Sequence, residues 1–186
     1  MNDYLRVVYK EDTRPYTSYP FKLCSYLFKK FDLKKGQLLL DLGCGRGEFL
    51  KGFTDLGLNS EGLDSCESAR ELSKGYKIEI CDFETCQLPY KDNHFDVIFC
   101  KSVIEHSYYP ERIFKDAYRI LKPNGKFIVM TPDWESVFKT FYEDYTHRTP
   151  FTLVSLKNVY AVSNFRQIQA WKFRQLPLLW KFPVLN

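Results

Sequence analysis

The chain has 186 residues, 45% hydrophobic and 27% charged, with a formal net charge of +4. That size and balance suit one globular domain and argue against a disordered chain or a bilayer-spanning one. The positive surplus is small and spread along the sequence, which falls short of the concentrated basic patch of a dedicated nucleic-acid binder.

Residues 1–19 are polar and read as an arm lying on the body. FKLCSYLFKKF then places Phe21, Cys24, Leu27, Phe28 and Phe31 at helical spacing. QLLLDL, residues 37–42, is a short apolar run between Gly36 and Gly43 and reads as a buried strand. Phe49, Leu50, Phe53 and Leu56 repeat with a helical period that Gly57 stops. SEGLD (60–64) is a second strand, residues 67–74 a short helix, KIEIC (77–81) a third strand and HFDVIFC (94–100) a fourth. Pro110 opens a helix with Ile113, Phe114, Ala117, Ile120 and Leu121 on one face. KPNG is a turn, KFIVMT a fifth strand, and 134–151 a long aromatic connection. Thr152 caps a helix carrying Leu153, Leu156, Val159 and Tyr160, and the alternation in RQIQAWKF (166–173) predicts a sixth, less buried strand. No repeat appears. Strand and helix alternate, so the expected fold is α/β: a doubly wound, mostly parallel Rossmann-like sheet with helices on both faces.

The six cysteines, Cys24, Cys44, Cys66, Cys81, Cys86 and Cys100, form no C-x-x-C pair and have no His cluster beside them. No metal site is expected from them, and buried free thiols in a reducing compartment are. The charged N-terminus lacks the apolar region of a signal peptide, and a cytoplasmic protein is expected.

In parallel sheets the ligand site lies beyond the carboxyl ends of the strands, at the switch point of the strand order. LLLDLGCGRGEFL (38–50) puts Gly43, Gly45 and Gly47 there, with Asp41 just before them. Glycines allow a tight turn and let a ligand reach bare backbone. A dinucleotide fingerprint wants G-x-G-x-x-G, but the sixth position holds Glu48, which opposes a pyrophosphate. Asp41 and Glu48 together favour a ligand carrying positive charge. Asp64 ends the second strand, where a carboxylate accepts from ribose hydroxyls, and Asp82-Phe83 after the third suits an adenine.

With EGLDS, CDFE, LPYKDNHFDVIFCKSVIEH and ERIFKDAYRILKPNGKFIVMTPD, this stretch resembles a class I S-adenosylmethionine-dependent methyltransferase over about residues 37–133. In style it is closest to the quinone-biosynthesis and sugar enzymes. The resemblance implies a seven-stranded sheet. It also implies a cofactor site of Asp41, Gly43, Cys44, Gly45, Asp64, Ser65, Asp82, Phe83, Lys101 and Ser102, for S-adenosyl-L-methionine and its product S-adenosyl-L-homocysteine. The chain then divides into an N-terminal arm and helix (1–35), a cofactor core (36–133), an aromatic lid (134–151) and a C-terminal helix, strand and apolar tail (152–186). The tail QLPLLWKFPVLN departs from the family's closing hairpin, so the seventh strand is expected short or missing. The tail is expected to pack on the body or to form a homodimer.

Methyl transfer needs the acceptor held in line with the methyl, and an oxygen acceptor also needs a base. The candidate catalytic residues are His147, in the aromatic connection, and His106, after the fourth strand; His94 lies before that strand, at the wrong edge. The segment CKSV stands where amino-methylating nucleobase enzymes carry Asn- or Asp-Pro-Pro-aromatic, and Cys100 follows Phe99, not Pro, so a base in nucleic acid is not the expected acceptor. The expected function is methyl transfer to an oxygen or nitrogen of a small molecule or glycan. The alternative is a catalytically silent S-adenosylmethionine-binding subunit that partners another protein. A nicotinamide oxidoreductase is disfavoured by Asp41 and Glu48.

Overall fold

The computed structural model describes residues 4–177 and Trp180. Strands β1 (Leu38–Leu42), β2 (Asn59–Asp64), β3 (Ile78–Ile80), β4 (Phe95–Lys101) and β5 (Leu121–Met130) form one all-parallel sheet in the order β3-β2-β1-β4-β5. The chain steps outward from β1 through β2 to β3, then returns to lay β4 on the other side of β1. The switch point therefore falls between β1 and β4. Register aligns the strand tips there: Asp41 lies beside Gly62 and Phe99, and Leu42 beside Leu63 and Cys100.

Helices cover both faces. Helices α2 (Tyr19–Lys30) and α3 (Glu48–Asp55) pack on the face bearing Leu39, Val97 and Phe99. On the other face, Leu40, Leu42, Ile98 and Cys100 meet α5 (Pro110–Ile120) and α7 (Leu153–Val162) through Phe114, Ala117 and Tyr160. The period-two alternation of β1 and β4 thus splits their side chains between two cores. Pro110 sits at the start of α5, where its missing N–H costs nothing. Thr152 caps α7 reciprocally: its hydroxyl accepts from the Ser155 N–H at 3.2 Å, and the Ser155 hydroxyl accepts from the Thr152 N–H at 2.9 Å. The remaining helices, α1 (Tyr4–Val8), α4 (Ser68–Leu72) and α6 (Trp134–Val137), are short. None among the described residues is long and apolar enough to cross a membrane.

Two expectations are corrected. Residues 166–173 form no strand. Their alternation serves a helix face instead: Trp171 lies against Phe31 with Lys30 over its ring, and Phe173 stacks on Tyr26 at 5.3 Å. Five strands are found among the described residues. Of the apolar tail, Trp180 packs on Tyr26 and Phe173 and donates its indole N–H to the Arg174 carbonyl at 2.8 Å; residues 178, 179 and 181–186 lie outside the described residues, and so does most of the expected dimer contact. Second, not all the cysteines are free thiols: Cys81 and Cys86 are disulfide-bonded, with Cα atoms 6.2 Å apart, because the turn after β3 folds back on itself. Cys24, Cys44, Cys66 and Cys100 are free. The N-terminal arm lies on the body as expected; it is partly helical and lines the site.

Candidate active site

Beyond the tips of β1, β2 and β4 lies a cavity of about 400 Å³. It is lined by all ten residues expected for the cofactor: Asp41, Gly43, Cys44 and Gly45 at and beyond the end of β1, Asp64 and Ser65 at the end of β2, Asp82 and Phe83 after β3, and Lys101 and Ser102 at the end of β4. Local conformation explains why the sequence turns as it does. Gly43 has φ +83°, and a Cβ there would stand 2.1 Å from Val103 Cγ2. Both the backbone angle and the packing demand glycine. Ser102, at φ +57°, is a non-glycine in the left-handed region, and it turns β4 so that Val103 fills the space beneath Gly43.

Two acids dominate the electrostatics. Asp41 is 2% exposed, and its Oδ2 has no hydrogen-bond partner. Burial, followed by the nearby Asp64, pushes its carboxyl up to about 8, against an opposing pull from Lys101. Asp64 is tied to backbone: Oδ2 accepts from the Gly45 N–H at 2.8 Å and Oδ1 from the Cys66 N–H at 2.9 Å. Burial raises its carboxyl too, while those N–H groups lower it. Lys101 is pulled below its ordinary value by burial. Glu48 does not add a free charge, because it pairs with Arg46 at 2.8 Å. Asp82 caps its own turn, with Oδ1 accepting from the Glu84 N–H at 2.9 Å and Oδ2 from the Thr85 hydroxyl at 3.0 Å. Phe83 is left as the ring offered to the cavity.

The opposite wall is built from segments far apart in sequence. Tyr4, Leu5 and Tyr9 of the arm line the cavity together with His106, Ser107 and Thr146. The Tyr4 hydroxyl donates to Asp144 Oδ2 at 2.9 Å, a contact across 140 residues. Arg46 clamps the arm from below, donating to the carbonyls of Tyr9 and Arg14 at 3.1 and 2.8 Å under the Tyr16 ring. Sequence reasoning missed Tyr4, Leu5, Tyr9 and Thr146, because no local pattern marks them. Arg46 lies within the glycine turn itself, yet its role depends on the arm it meets in space.

His106 lines the cavity; His147 does not, and stands behind it with ring centroids 4.8 Å apart. His147 is wedged against Phe141. Glu105, 1% exposed, completes this group; burial raises its carboxyl. Burial lowers His106, with His147 adding to the shift. The main-chain carbonyl of Glu105 accepts from the N–H groups of Arg148 and Thr149 at 2.7 and 3.0 Å, fastening the aromatic connection to the loop after β4.

Residues 40–129 match the methyltransferase domain family. That stretch is thus similar to a methyltransferase domain, and solved S-adenosylmethionine-dependent methyltransferases share its fold. The chain is 38% identical over 119 residues to the uncharacterized protein MJ0638 of Methanocaldococcus jannaschii, covering 64% of this chain and 51% of that protein. It thus spans about half the length of that curated relative. Among solved structures, a SAM-dependent methyltransferase from Archaeoglobus fulgidus superimposes with a TM-score of 0.73 at 23% identity, over 89% of this chain and 76% of the other. One from Thermotoga maritima gives 0.69 at 26% identity, over 88% and 80%. The fold is shared across these proteins. None of them singles out the quinone or sugar sub-type for this chain.

Proposed function

We propose that the domain binds S-adenosylmethionine in this cavity and transfers its methyl group to an oxygen or nitrogen of a small molecule or glycan. The observation that carries the reading is the unpaired, buried carboxylate oxygen of Asp41 beside Asp64 in one cavity. A buried carboxylate without a partner is costly unless a ligand supplies one. A ligand with an ammonium and a sulfonium fits that need; a pyrophosphate does not. When bound, the donor supplies a methyl electrophile that is already activated. Asp41 then faces positive charge, the spare lone pairs of Asp64 serve ribose hydroxyls, and Phe83 and Asp82 border the base. The acceptor's lone pair forms the new bond to carbon as the carbon–sulfur bond breaks toward sulfur, and the acceptor's proton leaves at the His106 end of the cavity. Arm and aromatic connection together exclude water from the acceptor side.

Isothermal titration with S-adenosylmethionine is expected to show one site, weakened in Asp64→Ala. A folded protein that binds none ends the reading. Turnover of a panel of hydroxyl and amine acceptors by the isolated chain separates the enzyme from a silent binding subunit, which would bind the donor and transfer nothing.

A further inference from the structure

Glu105, His106 and His147 place one donor atom each within 4.8 Å of one another. Their hydrogen bonds fix which atoms those residues have left to offer. His147 Nδ1 lies 2.5 Å from the Phe141 carbonyl, which only accepts, so Nδ1 carries the hydrogen. His106 Nδ1 lies 2.8 Å from Thr146 Oγ1. Thr146 has a single hydroxyl hydrogen, and it is spent on Asp144 Oδ1 at 2.6 Å, a carboxylate that cannot donate. Nδ1 of His106 is therefore also the donor. In its neutral form each ring is therefore left with a lone pair on Nε2. Glu105 accepts from the Thr131 hydroxyl at 3.0 Å on Oε2 and keeps further lone pairs on a carboxylate that is almost wholly buried. One possible ligand atom from each side chain thus lies within 4.8 Å of the others, the lone pairs left over are on Nε2 of the two rings and on the carboxylate, and no hydrogen bond joins the three side chains to one another among the described residues. Such a group lacks only a positive centre.

We propose that Glu105, His106 and His147 form a site for one divalent transition cation in the wall at the acceptor end of the cavity, which His106 alone of the three lines. Two imidazole nitrogens and one carboxylate with open positions are a donor set for Mn²⁺, Fe²⁺, Co²⁺ or Zn²⁺. Bonds of about 2 Å require the donor atoms within about 3.5 Å of each other, so the side chains close by roughly 1 Å around the ion. The outer supports already stand: the Phe141 carbonyl behind His147, and the Thr146–Asp144 relay behind His106, itself held by Tyr4. Such partners orient ligating rings and fix their tautomer. On the methyl-transfer reading, on which this role rests, the open positions hold an acceptor hydroxyl through its oxygen and ease loss of its proton. This narrows the acceptor to an oxygen-bearing molecule. Cysteine spacing gave no hint of the site, because none of its ligands is a cysteine and His147 is far from the other two in sequence.

The test uses Mn²⁺ alone, a cation that avoids the free thiols, titrated into the full chain with any affinity tag removed and read by electron paramagnetic resonance. One bound ion per chain is expected. Glu105→Gln, His106→Gln and His147→Gln are expected to abolish binding, and Thr146→Val, which removes the hydroxyl that accepts from the ring N–H and donates to Asp144, to weaken it roughly tenfold. Circular dichroism checks each fold, and a variant that does not fold leaves the wild-type titration as the deciding measurement. No Mn²⁺ bound by the wild type, or binding untouched in every folded variant, overturns the proposal. S-adenosylmethionine titrated into metal-free protein keeps the two readings apart: donor binding without Mn²⁺ binding removes the cation site and leaves methyl transfer standing, and the reverse removes the role while keeping the ion.

Discussion

The two walls of the cavity are built by different means. One wall is the row of strand tips, where Asp41, Asp64 and Lys101 sit at the carboxyl ends of β1, β2 and β4 and Asp82 follows β3. Parallel pairing fixes their spacing, because each lies in the last residues of a strand or within two residues of its end. The other wall is stitched from the arm, the loop after β4 and the aromatic connection, held by contacts such as Tyr4 to Asp144 and Arg148 to the Glu105 carbonyl. The first is rigid because it is the end of a sheet. The second depends on a handful of hydrogen bonds, which suits the side that must admit an acceptor.

The sharpest way to break that contrast is at the strand tip. Gly43→Ala combines a left-handed backbone with a collision against Val103, and a loss of about 2–5 kcal/mol in unfolding free energy is expected from strain plus overpacking. Gly75→Ala, at φ +94° with nothing within 4 Å, is expected to lose only the strain, about 1–2 kcal/mol. Equal urea midpoints for the two variants would show that the β1 loop is not the rigid element described.

Asp41→Asn is expected to act in opposite directions on folding and on binding. The free protein gains thermal stability, because a desolvated carboxylate is replaced by a neutral isostere. Donor affinity falls by about 1.5–3 kcal/mol, some 10–100-fold, with the loss of a charge-assisted contact. Calorimetric scans and titrations check both signs.

The same carboxylate sets a pH dependence. Its folded value is raised to about 8, so between about pH 4 and 8 the folded chain holds a proton that the unfolded chain has released. Its contribution to stability is full below about pH 4 and is lost as the pH rises through about 8. A cationic ligand favours the ionised form, so donor affinity runs the other way, climbing up to about tenfold per pH unit toward pH 8 and then levelling. Titration heats should change with the ionisation enthalpy of the buffer, reporting a released proton. Affinity independent of pH across this window would remove Asp41 from the cation's surroundings.

The smallest effect is expected on the stitched wall. Tyr4→Phe removes one hydrogen bond between arm and lid, about 1 kcal/mol. It should raise proteolytic cleavage near residue 10 while leaving the urea midpoint of the sheet nearly unchanged. A large fall in global stability would mean the arm is part of the core.

The sheet and its acids were legible before any coordinates because they are local. LLLDL between two glycines, a carboxylate after each apolar run and Pro110 opening a helix are each readable within a dozen residues. The misreading of residues 166–173 has the same root. Alternating aromatics in RQIQAWKF satisfy a strand pattern and equally the side of α2, and only the position of Tyr26 and Phe31 in space chooses between them. The Cys81–Cys86 bond hangs on how sharply the turn after β3 closes, which spacing alone leaves open.

By itself, then, the sequence determined the alternation of strand and helix, the glycine turn and the acids at the tips, since hydrophobic period and backbone conformation are properties of neighbours along the chain. Only the tertiary structure decided that the N-terminal arm closes the cavity, that Glu48 is spent on Arg46, and that His106 and His147 face each other beside Glu105. Those are meetings between residues up to 140 positions apart, fixed by the packing of whole elements and written in no single stretch of the chain.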